Sequence, residues 1–261
     1  MELTQEQKVA FYEDGYVTLE GVIPQAMINS ARQAINHEIG KGVRNGFPDI
    51  NTTSVITDLF NETPAFSLVE SALGKGNLQR LGAGTVQLNY TAPVGTQRKE
   101  PELATAGPPL RTGGHLDGIA QARDFLRGTI SESAYHRNFT AFAVMYLNDV
   151  PEPYSGNFTI WPKSHHVMDA VLKEQGHEVL LKYMPDVDVP EGPVQITGKP
   201  GDLILGHHAL IHTAAQNISA NIRYALICRP RHVDIDTVGL DALIDIWREW
   251  DGIREAMAEA V

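Results

Sequence analysis

From Leu78 onward Gly and Pro divide the chain into short β-rich runs: Gly84 to Thr91, Phe139 to Val150, Asn157 to Trp161, Val194 to Ile196, Asp202 to His212 and Ile222 to Cys228. Many short strands separated by such turns predict a sandwich or barrel. Helices come first. Thr4 and Gln7 have capping-box spacing ahead of a helix ending near Gly15. A second helix starts at Pro24, carries Met27, Ile28, Ala31, Ala34, Ile35 and Ile39 at helical spacing, and stops at Gly40. A third begins at Thr63-Pro64, with Phe66, Val69, Ala72 and Leu73 on one stripe and Gly74 at its end. These stripes are expected to pack against a sheet. A last helix is predicted over about Asp236 to Ala260, carrying Leu240, Leu243, Ile244, Trp247 and Ile253. The expected class is mainly β with flanking helices.

Bulk properties narrow the function. A chain of 261 residues can bury a sizeable core as a single barrel domain, and 43% hydrophobic content is ordinary for a globular protein. A formal net charge of -11 argues against nucleic acid or an anionic membrane as the main partner. The one cysteine, Cys228, excludes an intramolecular disulfide and sits in an apolar strand, where a buried inert thiol is expected. The opening residues do not read as a signal peptide, and no apolar run approaches the roughly 20 residues that span a bilayer. Cytoplasm is the expected location. Oligomeric state has no signature.

Chemistry concentrates at His115-Leu116-Asp117, with His212 far downstream. In an extended strand side chains alternate, so residues 115 and 117 point the same way while Leu116 turns into the opposite layer. Imidazole nitrogens and a carboxylate oxygen are ligands of intermediate to hard character that suit Fe(II), and two histidines with one carboxylate leave the opposite metal positions open. His212 is the expected third ligand, in the β-rich run Gly201-Asp202 to Ile211-His212 that follows the Pro200-Gly201 turn. By parity His208 shares its face while His207 faces away, so spacing alone leaves His208 open as a ligand.

The sequence resembles the phytanoyl-CoA dioxygenase-like branch of the Fe(II)/2-oxoglutarate oxygenases. The resemblance is carried by Gly113-Gly114-His115-Leu116-Asp117-Gly118, by Ser155-Gly156-Asn157 through Pro162-Lys163-Ser164-His165, and by Gly201-Asp202 through His212, Asn217 and Arg223. It extends to Leu3-Thr4 through Asp14-Gly15-Tyr16 and Glu20-Gly21-Val22-Ile23, covering nearly the whole chain. It implies a double-stranded β-helix, the cupin-like jelly roll, in one domain: N-terminal helices over 1–77, core over 78–232 and a C-terminal helix over 233–261. His115, Asp117 and His212 would hold Fe(II). Arg223 would grip the distal carboxylate of 2-oxoglutarate, a task for which a guanidinium fork is well suited. The implied reaction uses O2, gives succinate and CO2, and hydroxylates a small-molecule substrate.

Two departures from the family pattern stand out. Thr213-Ala214-Ala215 replaces the Gly-Ser common after the distal histidine, removing a hydroxyl that supports the co-substrate carboxylate. Lys163 replaces the Gly of Pro-Gly-Ser-His, which argues against a left-handed backbone at that turn. Asp117 itself argues against the family's halogenases, in which a small residue replaces the carboxylate. Gln87 and Asn89 share a polar face, and Gln87 is a candidate to orient 2-oxoglutarate or substrate. Thr159 and Trp161 share a face, with Thr159 a candidate for the co-substrate pocket and Trp161 for the core. His165, His166, His37, His177 and His232 have no partners at ligand spacing and are expected at the surface or in structural roles. The irregular stretches Thr91 to Gly113 and Gly118 to Arg137 are expected to frame the mouth as a substrate lid, and Arg98, Arg123 and Arg127 hint at an anionic substrate. Two other classes share these residues: a cupin-like metalloenzyme that uses no oxo acid, and a non-catalytic binding barrel.

Overall fold

Thr4 and Gln7 cap each other's backbone, opening helix α1 (Gln5–Asp14) as their spacing predicts. The structure, a computed structural model, describes residues 1–104, 113–117, 119–120, 136–182 and 184–259. Helices α2 (Gln25–Gly40) and α4 (Pro64–Leu73) also start and stop where the sequence signals place them. Between them lies an unexpected helix, α3 (Ser54–Asn61), burying Ile56, Leu59 and Phe60. Its Val55-Ile56-Thr57 run is β-branched and disfavours helix locally, so tertiary burial decides its conformation.

Two antiparallel sheets form the centre. The larger runs in the order β1 (Tyr16–Leu19), β8 (Leu203–His207), β5 (Ala141–Tyr146), β10 (Arg223–Cys228) and β2 (Thr85–Asn89). The smaller has β6 (Phe158–Ile160) between β7 (Val194–Gln195) and β9 (His212–Ala214). A separate ladder joins β3 (Ile119–Ala120) to β4 (His136–Arg137). Side-chain alternation sorts the larger sheet into two faces. Ala143, Met145, Leu203, Leu205, Leu226 and Cys228 pack against Phe11, Ile28, Leu59 and Leu68 of the helices. Val144, Tyr146, Ile204 and Ala225 turn the other way and meet Phe158 and Ile160 of the smaller sheet. The helical stripes therefore cover a sheet, as expected, and Cys228 is fully buried.

A third apolar cluster lies outside the smaller sheet. There Trp161 and Ile211 pack with Met168 and Leu172 of α5 (Ser164–Gln175), a helix followed by a 3-10 turn over His177–Lys182.

Two expected elements are broken in the structure. The run from Asp202 to His212 is two strands: the Leu210 N–H donates to the His207 carbonyl at 3.0 Å in a turn that carries the chain from one sheet to the other. The single C-terminal helix over Asp236 to Ala260 is instead α6 (Ile235–Val238), α7 (Asp241–Ile244) and α8 (Asp251–Glu259). Gly239, at φ 59°, interrupts the first. Between the second and third, Glu249 is drawn to the buried Arg137 guanidinium while fully buried Trp250 packs 4.8 Å from the Phe11 ring. Packing outweighs the helical stripe here.

Candidate metal and co-substrate site

His115 and His212 face each other across a single antiparallel bridge. The His115 N–H donates to the His212 carbonyl at 3.0 Å, and the reverse bond measures 3.1 Å. Partners in such a pair project to the same side, which brings the rings to 4.9 Å between centroids. Gly114 allows the segment to lie this close to the sheet, because a Cβ there would sit 2.4 Å from the Trp161 ring. Asp117, two residues beyond His115, returns to the same side: Oδ1 is 3.7 Å from His115 Nε2 and Oδ2 3.9 Å from His212 Nε2. One ligand atom from each of the three residues lies within 4.8 Å of the others, so the group could hold one metal ion.

Local contacts set the donor atoms. His115 Nδ1 is 2.9 Å from the Gly113 carbonyl and His212 Nδ1 is 3.0 Å from that of Leu210. A carbonyl only accepts, so each Nδ1 carries the proton and each Nε2 lone pair is left to face Asp117. Phe142 and Phe158 hold the His212 ring at centroid distances of 4.3 Å and 5.5 Å. Burial pushes the His212 pKa down to about 4, against the opposing pull of Asp117, which keeps the imidazole neutral at pH 7. Burial raises the Asp117 pKa, but attraction to the His212 ring in the acidic range where it is protonated, and to the Arg229 guanidinium at every pH, outweighs it and holds the carboxyl below its usual range. Neutral imidazoles and an ionised carboxylate are the protonation states a divalent ion requires.

His208 is resolved by the turn that ends β8. Its Nδ1 meets the Thr140 carbonyl at 3.2 Å, and it does not belong to the converging group.

Arg223 lies on the face of β10 that carries Ala225 into the space between the sheets. Its guanidinium is buried, donating from Nε to the Gly156 carbonyl at 2.8 Å and from Nη1 to the Gln87 carbonyl at 3.1 Å. It has no ion-pair partner among the described residues, and burial lowers its pKa. Such a charge calls for an anion. Gln87 is the Cα partner of Ala225 on β2 and is exposed.

Thr159 departs from expectation. Phe158 and Ile160 take the face toward the larger sheet, with Ile160 paired to His212, so Thr159 points outward. Its hydroxyl donates to the Asn157 carbonyl at 3.2 Å. Trp161, on the same outward face, belongs to the core as expected. Lys163 is also a correction: it adopts the left-handed conformation (φ 62°, ψ 0°) that its side chain disfavours.

Arg229 was missed in the sequence, although it continues the 223, 225, 227 alternation. Its Nη2 donates to Asp117 Oδ2 at 2.8 Å. The lid stretches are partly described. Residues 91–104 are docked, with the Ala92 N–H on the Asn217 carbonyl at 2.7 Å, Arg98 over the Tyr154 ring at 5.0 Å and Leu103 bridged to Gly114. Arg123 and Arg127 lie outside the described residues, as does most of the second stretch.

No protein-family model and no curated protein sequence matches the chain. Solved structures do. The epimerase SnoN in complex with Fe3+, alpha ketoglutarate and nogalamycin RO aligns with a TM-score of 0.57 at 19% identity, over 87% of this chain and 82% of that one. Apo HygX from Streptomyces hygroscopicus aligns at 0.53 and 17% identity, over 87% and 85%. HygX with nickel, 2-oxoglutarate and hygromycin B bound aligns at 0.50 and 16%, over 86% of each chain. At these identities the likeness is one of fold.

Proposed function

We propose that this chain is an Fe(II)- and 2-oxoglutarate-dependent oxygenase of the phytanoyl-CoA dioxygenase-like branch, a single double-stranded β-helix domain over 1–261 that hydroxylates a small molecule in the cytoplasm. The observation that carries the reading is the convergence of His115, Asp117 and His212 in a fold that also buries Arg223 with no ion-pair partner among the described residues. A two-imidazole, one-carboxylate set suits Fe(II), and an unpaired buried guanidinium suits the far carboxylate of a dicarboxylic oxo acid. When bound, iron and 2-oxoglutarate would together supply O2 activation, the oxo acid leaving as succinate and CO2 as the substrate is oxidised. The protein's part is placement. His115 and His212 would present Nε2 lone pairs, Asp117 would offset charge, Arg223 would orient the oxo acid by its far end, and Gln87 would line the approach.

The likeness to SnoN and HygX supports a small-molecule substrate, and the epimerase activity of SnoN favours epimerisation as a second outcome at the same centre. No helix among the described residues is long and apolar enough to cross a membrane. A cupin-like enzyme without an oxo acid would give Arg223 no task. The test is succinate release with Fe(II), 2-oxoglutarate and O2 over a small-molecule panel that includes hygromycin B and nogalamycin RO. Succinate formation that needs all three supports the class; substrate turnover without 2-oxoglutarate overturns it. Product stereochemistry and mass separate hydroxylation from epimerisation.

A further inference from the structure

We propose that Arg229 is a positioning residue that restricts Asp117 to one metal-binding oxygen. The inference rests on the iron and 2-oxoglutarate reading and goes beyond it by assigning a task to a residue outside the ligand set.

Arg229 follows the last residue of β10, six positions and about 20 Å of strand from Arg223. One strand therefore presents two guanidinium groups to the space between the sheets, with opposite surroundings. Arg223 is buried and has no carboxylate partner among the described residues, whereas Arg229 is a third exposed and engages Asp117. Three contacts fix the second guanidinium. Nη2 donates to Asp117 Oδ2 at 2.8 Å, Nη1 approaches Thr85 Oγ1 at 3.4 Å, and the central carbon stands 5.8 Å from the Phe139 ring centroid.

The consequence lies in which carboxylate oxygen stays free. Oδ1 lies 3.7 Å from His115 Nε2 and is free to bind, while Oδ2, 3.9 Å from His212 Nε2 and so also within reach of the same ion, is held by Arg229. A carboxylate with both oxygens free can grip one ion with both. On a six-coordinate ion three protein donor atoms would leave three positions, enough for a chelating oxo acid and O2, and a second Asp117 oxygen would take one of them. The charge-assisted hydrogen bond from Arg229 competes for that oxygen and keeps the position open.

Arg229→Met tests this with binding alone, using Mn2+ and then 2-oxoglutarate. Calorimetric titration of the purified metal-free protein with Mn2+ is expected to show affinity unchanged or tighter in the variant. Titration of the Mn2+-loaded variant with 2-oxoglutarate is expected to show affinity about 10-fold or more weaker than wild type, the loss given by a cost of roughly 1.4 kcal/mol for displacing the second Asp117 oxygen. The deficit should persist in 1 M NaCl, where simple attraction between an exposed cation and the dianion is screened. Parallel loss of Mn2+ and 2-oxoglutarate binding, a deficit that vanishes in salt, or an Arg229→Met protein that matches wild type would each overturn the role. Arg229→Gln provides the same readout should the Met variant fail to fold. If wild type itself bound no Mn2+, the metal-centre reading and this one would fall together; if wild type binds both probes and only the Arg229 arm fails, the centre stands.

Discussion

The protein contains two groups of histidines, and they differ in everything except residue type. At the candidate centre two imidazoles present bare Nε2 atoms to a shared carboxylate. Behind the larger sheet a chain of four, His166, His165, His207 and His208, has successive ring centroids 4.0, 5.5 and 4.3 Å apart, capped by Trp247 and Trp250. Four of their nitrogens meet the backbone, His208 Nδ1 at the Thr140 carbonyl among them, while His165 Nδ1 and His208 Nε2 are buried with no hydrogen-bond partner among the described residues. His165 Nε2 meets the Tyr12 carbonyl at 2.9 Å, His207 Nε2 meets that of Ile246 at 3.0 Å, and His207 Nδ1 accepts the Ala209 N–H at 3.0 Å. No carboxylate converges on them with a third ligand atom among the described residues. Lone pairs aimed at one point beside a compensating charge distinguish a metal site from a structural cluster; the count of histidines does not.

The comparison breaks first at Asp117. Asp117→Ala should reduce Mn2+ affinity by more than the roughly 10- to 100-fold typical of outer supporting groups, while His165→Asn leaves it unchanged. Calorimetry on the two proteins side by side checks this, and equal losses would erase the distinction between the clusters. Arg223→Met should leave Mn2+ binding intact and weaken 2-oxoglutarate by about 2–5 kcal/mol, the usual penalty for removing one member of a buried charge pair. Unchanged 2-oxoglutarate affinity in that variant would remove Arg223 from the clamp.

Much of the candidate site is legible in the sequence because it rests on short-range geometry. His115 and Asp117 are tied by strand alternation, and His212 and Arg223 by the order of two β-rich runs. What fails are statements about absolute direction. Alternation says that Thr159 and Trp161 share a face but not which face, and β6 is buried on both sides. Parity likewise linked His208 to His212 only on the assumption of one strand, and the turn after His207 removes it. The C-terminal segment breaks for a reason no local pattern contains: Arg137, more than a hundred residues upstream, takes Glu249 as its buried partner. Arg229 carries no motif of its own; only the structure shows its carboxylate.

The structural cluster should reveal itself by pH. Burial lowers the pKa of His165, to about 3, and that of His207 and His208 well below the usual histidine value, with neighbouring imidazoles and the Arg137 charge adding to the effect. The unfolded chain binds protons below about pH 6.5 that the folded protein refuses. Stability contributed by these groups is therefore complete above about 6.5 and is lost as the pH falls toward the folded values. His165 alone should remove about 2 kcal/mol between pH 6.5 and 5, with His207 and His208 acting in the same direction. Urea unfolding of the metal-free protein across that range measures it, and the slope should shrink in His207→Gln. A flat profile would mean that the cluster is already protonated or open to water.

The smallest expected effect concerns the turn that leads into α5. Lys163 holds a left-handed backbone (φ 62°) while its N–H donates to the Asp14 carbonyl at 3.0 Å, a bond that ties α5 to the end of α1. The geometry of the turn is thus retained without the glycine that would adopt it freely, at a strain of about 1 kcal/mol. Its ammonium pairs with Glu191, but both side chains are about half exposed, and such pairs contribute little. Lys163→Gly should therefore stabilise the protein by roughly 0.5–1 kcal/mol, less than the full strain because glycine gains freedom in the unfolded chain. The readout is a higher urea midpoint with an unchanged slope, and Mn2+ binding should not move because Lys163 touches none of the three ligand candidates. A loss of stability would show instead that the Glu191 pair outweighs the backbone strain. Charge pairing would then maintain this left-handed turn.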